Sequence, residues 1–222
     1  TVTGGAVVPL AGCGDDETVI VTVTVRASTL TGPGTTAPPV TVTTPTTTQS
    51  TEAALELRLP APGSIPNVRP GSVRPLATPQ DLVSALYSPG DPTAANAVQR
   101  LTAAGYEQGV IRDQPAQGEE GPRLVRTYIF RLRDNASARA EVQASADEIR
   151  STTTAPIRDV DLGEAAGQGL RIDAGNQDIL FVTFAAGRDV YGIQSFAPSG
   201  RSVQQAEIVE LSGNLYRAWN TP

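Results

Sequence analysis

The chain has no histidine, lysine or methionine and a single cysteine among its 222 residues. Without histidine there is no imidazole to ligate zinc or haem and no Ser-His relay. Without lysine there is no Schiff-base amine and no Walker lysine. One cysteine closes no intrachain disulfide. Aromatics make up 5% of the chain, and all ten lie between Tyr87 and Trp219. A core large enough to oppose chain entropy must therefore be built in that stretch. Long apolar runs are missing as well: no segment approaches the ~18 to 20 consecutive apolar residues that a spanning helix needs.

What the chain does contain is 18 prolines, 21 glycines and an excess of acid. All 17 basic residues are arginine, set against 23 Asp and Glu, for a net charge of −6. From Thr78 to Trp219 there are 18 acids and 13 arginines, so the imbalance sits mainly in the aromatic-bearing part. A surface of this sign repels polyanions, which argues against nucleic acid as a partner.

Near the N-terminus Ala6, Val7, Val8, Leu10 and Ala11 form a short apolar run ending in Leu10-Ala11-Gly12-Cys13, and the polar residues Gly14-Asp15-Asp16-Glu17 follow at once. The tetrapeptide resembles the lipobox of bacterial lipoprotein signal peptides. That resemblance implies that Cys13 receives a diacylglyceryl group and becomes the first residue of the mature chain, with residues 1–12 as a truncated signal peptide. Two or three acyl chains exceed the single-chain limit for stable anchoring, since each buried methylene is worth about 0.8 kcal/mol. The location implied is the outer face of the cytoplasmic membrane, and the first partner is the membrane itself.

Residues 13–76 read as a lipid-anchored, disordered tether. Between Ala27 and Thr51 there are 11 Thr and 4 Pro, with no aromatic residue and no charge. Such a composition buries too little apolar area to offset backbone ordering, and its prolines favour polyproline II. Thr18 to Val25 alternates partly as a strand would, but it has no neighbour to pair with, so it too reads as linker. The 62 residues from Gly14 to Pro75 span roughly 190 Å in extended polyproline II and about 45 Å as a flexible coil.

Residues 77–222 read as a single α+β domain: a small antiparallel sheet with helices packed on one face. Thr78-Pro79-Gln80-Asp81 starts a short helix that runs to Tyr87. Asp91-Pro92 starts a second, carrying Ala94, Val98 and Leu101 and ending at Gly105. In Arg123 to Arg133, Leu124, Tyr128, Phe130 and Leu132 share one face and Arg123, Thr127, Arg131 and Arg133 the other. Asp134 or Asn135 then caps a helix with an apolar stripe of Ala138, Val142 and Ile149. Strands follow near Ile157–Leu162, Leu170–Ile172, Ile179–Phe184 and Val190–Phe196, the last two forming a hairpin. Ile208, Leu211, Leu215 and Trp219 mark a final helix, and a weaker strand fits Tyr106–Arg112.

Few constellations carry chemistry. Arg123, Arg126, Arg131 and Arg133 offer a candidate anion cradle, because guanidinium forks bind oxyanions bidentately; the plainer reading is a solvated strand face. The Asp159–Glu164 and Asp173–Asp178 clusters lack EF-hand spacing and read as turns, so no metal site and no cofactor is assigned. Asp147 and Glu148 are neighbours that point apart on their helix, which leaves no carboxylate pair for hydrolysis. The functional expectation is a non-enzymatic, ligand- or partner-binding module of the cell envelope, with a cell-wall polymer or an envelope protein as partner. A carboxylate-based cell-wall hydrolase and a structural spacer are the alternatives.

Overall fold

In the strand centred on Tyr128, the side chains of Tyr128 and Phe130 point to one side and those of Val125, Thr127 and Ile129 to the other, and all five are buried. Both faces of the sheet are therefore covered. A computed structural model describes residues 51–220. The lipobox-like tetrapeptide Leu10–Cys13, the Thr/Pro-rich stretch up to residue 50 and the alternating run 18–25 lie outside the described residues.

The elements run in the order α1 (Thr51–Glu56), β1 (Val73–Leu76), α2 (Pro79–Leu86), α3 (Ala94–Ala103), β2 (Gln108–Pro115), β3 (Leu124–Arg131), α4 (Asn135–Thr152), β4 (Ile157–Asp159), β5 (Gly167–Asp173), β6 (Gln177–Ala186), β7 (Asp189–Pro198) and α5 (Gln205–Trp219). The fold class is α+β. All seven strands pair antiparallel in one sheet of order β1-β2-β3-β7-β6-β5-β4. Two meanders, β1-β2-β3 and β4-β5-β6-β7, are joined by α4, and β7 returns to the centre beside β3. The near-continuous apolar run of β6 fits a strand buried on both faces.

Local chemistry sets the helix ends. Thr78 and Asp81 form a reciprocal capping box at α2. Asp134, not Asn135, caps α4, its Oδ1 accepting from the Ser137 amide at 2.7 Å. Gly105, at φ +71°, occupies the left-handed position that ends α3.

Two points correct the reading from sequence. Helices cover both faces: α2, α3 and α4 lie on the side of Tyr128 and Phe130, while α1 and α5 lie on the side of Val125, Ile129, Leu180 and Val182. The compact unit also begins at Thr51, not at residue 77. Leu55, Leu59, Ile65 and Val68, assigned to the tether from composition, are buried in the α5-side core, and β1 pairs with β2. A strap running from α1 to β1 thus roofs part of the sheet. Its segment 67–69 is pinned to the end of β2 and the loop beyond: Arg69 N donates to Pro115 O and Gln117 N to Asn67 O, both at 2.8 Å. Five prolines between Pro60 and Pro75 and the turns at 62–67, with Gly63 and Asn67 at positive φ, keep it free of helix or strand while its few apolar side chains turn inward.

Candidate functional site

On the α2–α4 side the helices do not close over the sheet. The α2–α3 hairpin packs over β1 to β3 and α4 crosses β5 to β7, leaving a half-open groove of about 220 Å³ between them. Tyr128, Phe181 and Gln194 floor it. Leu86 to Thr93 form one lip, and Ser145 to Thr152 of α4 the other.

The floor depends on one glycine. Gly192 of β7 lies directly opposite Tyr128, whose ring occupies the space that a Cβ at 192 would fill. Phe130 stacks on Tyr128 at 6.3 Å between centroids, which further restrains the ring. At the inner end, Arg100 of α3 reaches across to α4. Its Nε and Nη2 donate to the two oxygens of Glu141 at 2.8 and 3.0 Å, and its Nη1 donates to Glu148 at 2.8 Å. Ser145 Oγ donates to Glu141 at 3.0 Å. Burial opposes the charge on Arg100, but the hydrogen bonds and charges of Glu141 and Glu148 outweigh it and raise its pKa. Burial first, and then the Glu148 carboxylate, pushes the Tyr87 hydroxyl up. Tyr128 is raised by burial in the same way. Both phenols are thus held in their neutral form. At the rim the Thr93 hydroxyl and amide donate to Asp91 and hold its carboxyl below the usual range.

The four arginines singled out from sequence do not converge. Arg126 donates to both Asp113 oxygens, at 2.7 and 3.3 Å, and to Ala85 O at 2.7 Å, so it braces the end of α2 behind the groove lip. Arg131 lies on the opposite face, bidentate to Asp189 at 2.7 and 2.9 Å. Arg133 is exposed beside Asp134, and Arg123 is exposed at the head of β3. The Asp161 and Asp173 side chains accept from the amides of Gly163 and Gly175, at 2.8 and 3.1 Å, which makes both acidic clusters turns. Arg100, Glu141 and Glu148 carried no local signal, because 41 and 48 residues separate the guanidinium from its carboxylates.

No protein-family model matches the sequence, and no curated protein matches it. Among solved structures it is similar to the crystal structure of the extracellular domain of PknH from Mycobacterium tuberculosis. The identity is 16% and the TM-score 0.47, over 76% of this chain and 96% of that one. The fold is an α+β domain with a half-open surface groove. Among the described residues no helix is long and apolar enough to cross a membrane.

Proposed function

We propose that the protein is an extracytoplasmic, lipid-anchored binding module whose groove over Tyr128 receives a neutral or cationic, hydroxyl-bearing group of the cell envelope. The anchor rests on the resemblance of Leu10-Ala11-Gly12-Cys13 to a lipobox. The observation that carries the binding reading is the groove itself: the largely buried aromatic side chains of Tyr128 and Phe181, the side chains of Tyr87 and Ser145 and that of Gln194 line one concavity. An aromatic floor ringed by polar groups suits a polyhydroxyl ring or the sugar unit of a wall polymer. At about 220 Å³ the groove falls below the ~300 to 1,000 Å³ usual for larger ligands, so it takes one such unit. Glu148 and Asp91 add negative charge, which disfavours anions.

Hydrolysis is the weaker reading. A two-carboxylate mechanism needs one acid free to donate a proton, whereas Glu141 and Glu148 both serve Arg100. The test is titration of the full chain with soluble wall-polymer fragments, followed by amide chemical-shift changes. Shifts clustered on residues 86–93, 145–152 and 194, and lost in Gly192→Val, support the groove. Shifts scattered elsewhere, or cleavage of the fragments, contradict the binding reading.

A further inference from the structure

The face of the sheet under α1 and the strap carries a second polar assembly, distinct from the groove. Arg112 and Gln114 of β2, Thr127 of β3 and Ser195 of β7 are all buried and project to this side, where the ladder sets Arg112 opposite Thr127, and Gln114 and Ser195 on either side of Val125. Directly opposed residues place their Cβ atoms about 4.5–5.5 Å apart, so Arg112 and Thr127 are immediate neighbours. Each of the four holds a buried polar atom without a hydrogen-bond partner: Arg112 Nε, Gln114 Oε1, Thr127 Oγ1 and Ser195 Oγ.

Charge decides what they lack. Arg112 is 6% exposed and is the one arginine in the buried class among the described residues. Its Nη1 donates to the Pro60 carbonyl of the strap at 2.6 Å. Arg58, Arg100, Arg126 and Arg131 each hold a carboxylate, but among the described residues none lies within ion-pair distance of Arg112. A guanidinium withdrawn from water without an opposite charge is strongly disfavoured, and a neighbouring neutral carbonyl does not offset that cost.

We propose that this face is an internal site for a small oxyanion, gripped by Arg112 Nε together with the hydroxyls of Thr127 and Ser195. Gln114 presents its Nε2 to the same anion after a half-turn of its amide. The fork of Arg112 suits the planar edge of a carboxylate or two oxygens of a phosphate or sulfate. The anion supplies the missing negative charge and bonds the strap to the sheet through Arg112 and Pro60.

Thermal unfolding of the full chain, dialysed free of oxyanions, tests this with phosphate, sulfate or acetate added against chloride at equal ionic strength. A bound oxyanion raises the melting temperature by about 5–10 °C at a hundredfold excess over Kd. Arg112→Met abolishes that response, and its oxyanion-free form melts no lower than the wild type. Thr127→Val and Ser195→Ala, which retain the guanidinium, each weaken the apparent affinity about tenfold. A response confined to acetate identifies a carboxylate, one confined to phosphate and sulfate a tetrahedral oxyanion, and either supports the site. A wild type that responds no more to the oxyanions than to chloride, as a site filled by water would, overturns the proposal. So does an undiminished response in Arg112→Met or, should that variant fail to fold, in the Thr127 and Ser195 variants.

Discussion

At the scale of residues, Asp189 shows how a charge is kept inside this domain. Its side chain is 2% exposed and accepts two bonds from Arg131 and a third from Arg58, whose guanidinium also lies 4.5 Å over the Trp219 ring. One carboxylate thus ties the strap, β3, β7 and the end of α5 together. Asp189→Ala leaves two guanidiniums without their partner and is expected to cost about 3–5 kcal/mol, read from the urea midpoint at unchanged m-value. A loss under 1 kcal/mol would show that the network contributes little. Arg131 also shows where a sequence reading stops. By alternation it belongs with Arg123 and Arg133 on a polar face, and nothing local to it announces that Asp189, 58 residues on, will neutralise it in the interior.

At the scale of elements, short-range chemistry was legible. The capping box at Thr78, the Asp134 cap and Gly105 as a helix stop all lie within a few residues of what they control, whereas the polar face read from the alternation of β3 is buried. Asp134 accepts from the Ser137 amide, and this, with the Ser137 hydroxyl and the neighbouring Arg133, holds its carboxyl below the usual range. A depressed carboxylate adds stability above its unfolded pKa, about 3.9, and loses it as pH falls through the lower folded value. Asp134→Asn, which caps without titrating, should trail the wild type at pH 7, and the gap should close between about pH 5 and pH 2. A gap independent of pH would remove the cap from the acid response. The groove was not legible at this scale. Its lips come from α2 and α4, its floor from β3, β6 and β7, and Glu148, dismissed as a neighbour of Asp147 pointing away from it, meets a partner supplied by another helix.

At the scale of the whole molecule, the main surprise is where the domain begins. Proline density and the absence of aromatics assign residues 51–76 to a tether, yet Leu55, Leu59, Ile65, Val68 and Leu76 are each no more than 5% exposed. Their spacing is irregular because the strap buries side chains from a succession of turns between α1 and β1, so no single helical or strand period marks them. At about 1.5–3 kcal/mol for each buried aliphatic, removing the strap takes away as much as a typical domain's net stability. A chain starting at residue 77 should therefore unfold without a cooperative transition, whereas one starting at residue 51 should show a single sharp transition by circular dichroism. Equal cooperativity in both would make the strap an accessory.

The proposed function places this domain outside the cell, held by a lipid on Cys13. The most direct measurement is the intact mass of the protein extracted from membranes after expression from its own gene, beside a Cys13→Ala variant. The account predicts a mature chain that begins at Cys13 and carries the mass of a diacylglyceryl group, with or without a further acyl chain, and a variant released from the membrane fraction. An unmodified Cys13 in the wild type, or equal membrane retention of the two proteins, would contradict it.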